Sequence, residues 1–284
     1  SSRYRKLIDV REKWLKTLSE GKNIEPIHLV FVEEPEAHLH AQAQQVFVKK
    51  AFEALCNNQV IKDHPWLKTQ LVLSTHSNHV VNELDLNCMR YFRRVMDAGD
   101  KIPVSNVINL SRTFGAEDET EQFVTRYIRL THCDIFFADA VILVEGPAEK
   151  ILVPSFLTKA DLDSYYISVI EVNGRHAHSF RSLIDKIGIP TLIVTDIDAT
   201  ETTIADDGKE KQVSVITAKG KGYKTGNPSV QNWLPGKVLI DDLMALDGKE
   251  KTVDNVRIAF QTPISVKWNK EKEEYTEICP YTFE

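Results

Sequence analysis

The chain has 284 residues, 42% of them apolar and 27% charged, with four cysteines and a formal net charge of −6. At roughly 150 residues per domain, that length fits about two domains with a true hydrophobic core. It excludes a disordered chain, a collagen-like repeat and a disulfide mini-protein. The acidic balance argues against a uniformly basic nucleic-acid glove. It leaves room for a local basic patch, and for carboxylates gathered around metal ions.

No apolar run approaches the roughly 18 residues that a membrane helix needs. The basic start Arg3-Tyr4-Arg5-Lys6 leads into no apolar segment of the secretory kind. Cys56, Cys88, Cys133 and Cys279 lie too far apart for a CxxC or zinc-knuckle pattern. Four free thiols point to a reducing compartment, so a cytoplasmic location is expected and no membrane partner.

Residues 1–90 read as one unit. Leu7, Val10, Trp14, Leu15 and Leu18 repeat at helical spacing and predict a helix over 3–20. The run Ile27-His28-Leu29-Val30-Phe31-Val32 is continuously apolar and predicts a strand buried on both faces, as in a parallel sheet. It ends in Glu33-Glu34-Pro35-Glu36-Ala37-His38-Leu39-His40. A helix over 41–56 follows, then a second strand over 70–75 that ends in His76-Ser77-Asn78.

An apolar strand running into two acids is the Walker B arrangement: one carboxylate holds magnesium through water, the other polarises the attacking water. A histidine at a neighbouring strand tip suits a γ-phosphate sensor, because ligands of parallel sheets gather at the carboxyl ends. The plain alternative is a solvated loop. The paired motifs, about 40 residues apart, resemble the C-terminal half of an ABC-type ATPase head. That resemblance gives Glu33 the Walker B position, Glu34 the catalytic-base position and His76 the switch-histidine position. No Gly-x-x-x-x-Gly-Lys-[Ser/Thr] is present: the Gly-Lys pairs at Gly21, Gly208, Gly220, Gly236 and Gly248 all lack the upstream glycine. Leu18-Ser19-Glu20-Gly21 looks like an ABC signature but lies too near the first strand. The expectation is half an ATPase, with no ATP hydrolysis by these residues alone and ATP as cofactor only of a longer chain.

Residues 91–137 read as a connecting region, punctuated by Gly99, Pro103 and Glu117-Asp118-Glu119, with a short helix over 123–130. From 138 to 284 a second domain is expected. Ala140-Val141-Ile142-Leu143-Val144 is a buried-type strand that delivers Glu145-Gly146-Pro147-Ala148-Glu149-Lys150 and then a helix. Glu145 stands at the strand tip, and Glu149, one turn in, can point back at the same space. A strand over 167–172 ends at Asn173-Gly174, and a helix stops at Gly188. A third strand over 191–195 ends in Asp196-Ile197-Asp198.

Strands alternating with helices predict a parallel α/β layer. If the third strand continues, Asp196 and Asp198 face one side. Adjacent strand tips then gather Glu145, Asp196 and Asp198. Carboxylates that close repel unless a cation joins them, and hard oxygen ligands suit Mg²⁺ or Mn²⁺. Either motif alone is ordinary structure. Their ordered combination resembles the Toprim domain of topoisomerases, primases and several nucleases.

ABC-type motifs followed by Toprim motifs resemble the OLD (overcoming lysogenization defect) nucleases. The likeness rests on the Glu33–His40 run, on Ser74-Thr75-His76-Ser77, and on the run from Phe136 to Gly146. Gly188-Ile189-Pro190 before the Asp-x-Asp strand adds to it. The class 2 branch, whose members can sit beside a helicase gene, fits best. The resemblance implies a two-metal DNA endonuclease coupled to an ATPase, with a family-level role in phage defence. By position, Glu145, Asp196 and Asp198 are the catalytic candidates. With Glu149 they form the metal set, to which Thr282 and Glu284 of Thr282-Phe283-Glu284 are added as a Ser/Thr-x-Glu element. The family also places a lysine well beyond that element, and this sequence ends at Glu284. That absence, with the missing Walker A half, makes a piece of a longer protein, or a partly ordered one, the expectation.

DNA is the expected partner. Lys219, Lys221 and Lys224, with interspersed glycines, could track a phosphate backbone, and Arg175, His176 and His178 follow the second strand near the expected site. A solvated loop accounts for the lysines equally well. A homodimer is expected because ABC heads work in pairs. Two other functions stay open: an ATP-gated DNA-binding or dimerisation module with a degenerate metal site, and another Toprim activity such as primase.

Overall fold

The computed structural model describes residues 2–95, 102–111, 124, 126–128, 132–204, 209–262, 264–269 and 274–278. They fall into two compact units. One comprises residues 1–90 with 110–114 and 125–133; the other comprises 91–109, 115–124 and 134–284.

The first unit starts with α1 (Ser2–Ser19), which buries Leu7, Arg11 and Leu15 on a stripe one turn apart. The strand β1 (Ile27–Glu33) runs parallel to β2 (Lys68–Ser74), in register from Ile27↔Lys68 to Glu33↔Ser74. Helix α2 (Ala41–Cys56) packs Phe47, Val48, Ala51 and Leu55 into a core with Leu7, Val30 and Val80. Two short helices, α3 (Gln59–Asp63) and α4 (Asn78–Val81), flank the second strand. Arg11 is buried for a reason: its guanidinium donates to Ala54 O (2.7 Å) and Asn57 O (3.0 Å). Those carbonyls close α2 and have no partner within the helix.

The strand β1 departs from the expectation of burial on both faces. Val30 is buried, whereas Ile27, Leu29 and Phe31 are exposed, Phe31 at 71%. The physical reason is the sheet's size. Two strands present alternating faces, and within this unit α1 and α2 cover only one of them.

The second unit is built on a five-stranded sheet in the order β11-β12-β7-β5-β6. Its strands are β5 (Ala140–Val144), β6 (Ile167–Glu171), β7 (Thr191–Val194), β11 (Thr252–Val253) and β12 (Val256–Ala259). The strands β6, β5, β7 and β12 are parallel, and β11 is antiparallel at the edge. Because β5 has neighbours on both sides, four of its five residues, Val141 to Val144, are buried. Helix α5 (Pro147–Lys159) joins β5 to β6, and α6 (Arg181–Ile187) joins β6 to β7. Leu183, Ile184 and Ile187 of α6 are buried, each contributing about 2 kcal/mol of apolar burial. Gly188 ends α6 at φ 62°, where a side chain would be strained and would strike the guanidinium of Arg93. That guanidinium donates to Ile187 O at 2.9 Å, closing the helix end.

After β7 the chain makes a three-stranded sheet from β8 (Ala199–Ile204), β9 (Glu210–Ser214) and β10 (Lys224–Thr225), in the order β10-β8-β9. Helices α7 (Pro228–Trp233) and α8 (Ile240–Ala245) follow. Two further pairs, β3 (Arg90–Val95) with β4 (Val104–Asn109) and β13 (Ile264–Asn269) with β14 (Glu274–Ile278), complete the described strands. None of the described helices is long and apolar enough to cross a membrane. The architecture is α/β, with a parallel sheet flanked by helices in the second unit.

Candidate active site at the carboxyl end of the parallel sheet

The strand order reverses at β5: the chain passes to β6 on one side and to β7 on the other. Such a switch point leaves a crevice at the carboxyl ends of the strands, where parallel sheets bind ligands. Glu145 follows β5 there, and Thr195-Asp196-Ile197-Asp198 follows β7. The parallel register Val144↔Val194 sets Glu145 level with Thr195. Glu145 Oε2 accepts the Thr195 hydroxyl at 2.7 Å and the Asp196 backbone N–H at 2.9 Å. The adjacent Gly146-Pro147 turn starts α5, with Pro147 at its first position, where the missing N–H costs nothing. Glu149 Oε2 reaches back to accept the Gly146 N–H at 2.9 Å, satisfying one of the helix's orphan donors.

The sequence expectation that the strand carries Asp196 and Asp198 onto one side needs correction. The strand β7 ends at Val194, and Asp198 takes the left-handed conformation at φ 48°. Strand alternation does not apply there. The loop is instead shaped by hydrogen bonds. Thr225 Oγ1 donates to Ile197 O (2.6 Å), and the Gly226 N–H donates to Asp198 O (2.7 Å). A Cβ at 226 would press on Thr200 Cγ2 at 2.6 Å, so any side chain there forces its neighbour to move. The Asp198 carboxylate accepts from Asn227 Nδ2 at 3.0 Å and lies 3.7 Å from Arg175 Nη1.

The carboxylates feel one another. Burial and the charge of Glu145, joined by those of Asp198 and Glu149, push Asp196 up to about 6, against a hydrogen bond from Gln261 that pulls it down. Burial also raises Asp198, opposed by Arg175 and by the Asn227 hydrogen bond. A half-buried acid whose ionisation is opposed by burial and by three neighbouring carboxylates is electrostatically suited to a divalent cation. Among the described residues, no three His, Cys, Asp or Glu side chains already converge as a coordination shell. Each carboxylate instead holds bonds within the protein. Thr282 and Glu284 lie outside the described residues.

Three contributors to this site carried no motif. Thr195 and Asn227 are buried, and Gln261 is 3% exposed. The Gln261 amide donates to Asp196 Oδ1, and its carbonyl accepts the Ile197 N–H at 2.8 Å. The one available signal was Asn227-Pro228, the pattern of a helix cap followed by proline. Arg175 and His176 are exposed after β6. Arg175 also donates to Gly226 O at 3.3 Å, and His178 Nδ1 lies 3.0 Å from Arg175 O. Lys219 and Lys221 occupy an exposed turn pinned by the Gly220 N–H on Asp241 at 2.8 Å, and Lys224 opens β10.

In the first unit, Glu33 ends β1 opposite Ser74. Glu34, at φ 42°, donates its N–H to Ser74 O at 3.0 Å, and its carboxylate lies 3.9 Å from His76 Nε2. Glu36, which the motif reading passed over, accepts the His76 N–H at 2.7 Å. Arg3 donates to Pro35 O and Ala37 O, and so holds the loop that follows the paired acids.

Fold and site together define a Toprim-type α/β domain in one unit and an ATPase-type strand pair in the other. Comparison with known proteins agrees. Residues 136–198 match the family described as "Overcoming lysogenization defect protein-like, TOPRIM domain", and residues 10–81 match an AAA ATPase domain. The chain is similar to an "Endonuclease GajA" of Bacillus cereus, 28% identical over 91% of this chain and 37% of that protein. A GajA endonuclease of a second Bacillus cereus strain is 26% identical over 64% of this chain and 28% of that protein. An "OLD nuclease" of Thermus scotoductus is 25% identical over 61% of this chain and 31% of that protein. The chain thus spans about a third of the length of the curated relatives it matches. It carries an OLD-like Toprim domain and an AAA ATPase segment, in keeping with the OLD nuclease family.

Proposed function

We propose that the chain is the nuclease-bearing part of a divalent-metal-dependent DNA endonuclease of the OLD type. One observation carries the reading. Glu145 accepts the backbone N–H of Asp196 at the sheet's switch point, where burial first, and then the charges of Glu145, Asp198 and Glu149, raise Asp196 to about 6. That donor set suits two Mg²⁺ or Mn²⁺ ions. Glu145, Glu149, Asp196 and Asp198 would hold them, with Thr282 and Glu284 as further ligands. When bound, such ions activate water and neutralise charge on the scissile phosphate. The chain's own part is to fix the carboxylates and to exclude bulk water from their buried side. Arg175, His176, Lys219, Lys221 and Lys224 are the proposed phosphate contacts.

The ATPase segment extends the proposal to a longer protein. There Glu33, Glu34 and His76 would serve ATP in an ABC-type head, in a cytoplasmic homodimer with a possible helicase partner by family likeness. The domain extents proposed are 1–90 for the ATPase part, 91–137 for the connection and 138–284 for the Toprim part.

Nicking of supercoiled plasmid tests this directly. The expected result is nicking in Mg²⁺ or Mn²⁺ that stops in EDTA and in Asp196→Ala. Normal nicking by that variant overturns the site assignment. A second reading has its own observation: Arg175 already lies 3.7 Å from Asp198, as a substitute cation would. It predicts DNA binding that ignores EDTA and no cleavage by the longer protein.

A further inference from the structure

The buried side chain of Asn227 touches three of the four residues of the loop after β7 without adding charge to it. Its Nδ2 lies 2.8 Å from Thr195 Oγ1, 2.7 Å from Asp196 O and 3.0 Å from Asp198 Oδ2. Its Oδ1 accepts from Ser229 N at 2.9 Å and Val230 N at 3.4 Å, capping α7. Those two backbone donors fix which end of the amide is oxygen, so the nitrogen must face the acids.

The contact with Thr195 matters most. A hydroxyl has one proton. The acceptor-only Glu145 carboxylate, 2.7 Å away, takes that proton's hydrogen bond, which leaves Thr195 Oγ1 to accept one of the two protons that Asn227 Nδ2 shares among its three neighbours. Asn227 therefore reaches Glu145 through Thr195, Asp196 through its carbonyl, and Asp198 directly. Gln261 does the equivalent from the end of β12, bonding Asp196 and Ile197. Neutral amides suit this task. A lysine or arginine in the same place would neutralise the cluster and compete with a cation, whereas an amide orients the carboxylates and leaves their charge in place.

We infer that Asn227 is a positioning residue of the metal site, setting the carboxylates through Thr195 and Asp198 rather than only capping α7. The inference rests on the metal-site reading above. The two roles of Asn227 can be separated, because serine caps a helix about as well as asparagine but is too short to reach Asp198. Asn227→Ser in the full 284-residue chain keeps the cap and removes the donor.

The measurements are Mn²⁺ affinity by titration calorimetry, melting temperature, and plasmid nicking. Asn227→Ser is expected to stay folded, losing several degrees of melting temperature to the acceptors left unpaired, while binding Mn²⁺ about 10- to 100-fold more weakly, the range for lost outer-shell partners, with nicking falling in parallel. Parent-like Mn²⁺ affinity in Asn227→Ser overturns the inference and leaves Asn227 a helix cap. If Asn227→Ser unfolds, Thr195→Val decides. It cuts the link to Glu145 without touching the cap, and parent-like Mn²⁺ affinity there overturns the inference equally. Failure of the parent chain itself to bind Mn²⁺ is a different result, which overturns the metal-site reading and this inference with it.

Discussion

The two units each run an apolar parallel strand into a carboxylate, and then differ. At the tip of β1, Glu34 and His76 stand 3.9 Å apart with side chains 52% and 81% exposed. Water screens such a pair, and its coupling contributes little. At the tips of β5 and β7, the acids are half-buried, and buried amides and a buried hydroxyl tie them down. The difference follows from the neighbours. Among the described residues β1 has one strand beside it and exposes one face, whereas β5 lies inside a five-stranded sheet. A strand tip supplies a position for a charge. Flanking strands and the loops packed on them supply its geometry and its low-dielectric surroundings.

The contrast can be broken most severely at Asp196. Asp196→Ala is expected to lower metal-dependent nicking at least about a hundredfold, in a protein whose circular dichroism is unchanged. A core deletion tests the other unit. Leu55 is fully buried in the first unit, so Leu55→Ala is expected to cost about 3 kcal/mol there. Hydrogen exchange should show faster amides in α2 and unchanged amides in β5.

A smaller effect concerns pH. Asp196 is raised from 3.8 to about 6, so the folded chain holds this proton more tightly than the unfolded one. The charged form therefore costs stability above about pH 6, and stability is regained as pH falls from there towards 3.8. For a half-buried group the discounted effect is about 1 kcal/mol, or a few degrees of melting temperature. Without metal, the melting temperature should rise between about pH 7.5 and about pH 5. Asp196→Asn should flatten that rise, and so should added Mn²⁺; an unchanged slope in the variant assigns the effect to other groups. The smallest effect is expected at the exposed pair. His76→Ala should move stability by less than about 0.5 kcal/mol, read by chemical denaturation. A larger loss would mean that this site is not the open one described.

Much of this architecture was legible in residue patterns. The helix expected over 41–56 is α2 (Ala41–Cys56), because an amphipathic stripe and its period lie in the sequence itself. The apolar run that delivers Glu145 marked a buried strand, since a strand buried on both faces has no alternation to hide it. Asn227 and Gln261 were not legible as site residues. They come to the acids across 29 and 65 positions of sequence, to Asp198 and Asp196 respectively, and polar amides carry no periodic signal. Phe31 misled for the converse reason: an apolar run announces the need for burial without saying whether a neighbour meets it.

The sequence by itself determined the strands and helices that lead into the two acidic strand tips, the acids themselves and the glycine turns, because these depend on side-chain chemistry and short-range backbone sterics. Only the tertiary structure decided that β5 lies between β6 and β7, that Asp198 leaves the strand, and which buried amides orient the carboxylates. Those depend on which distant segments meet, and short-range pattern does not encode that meeting.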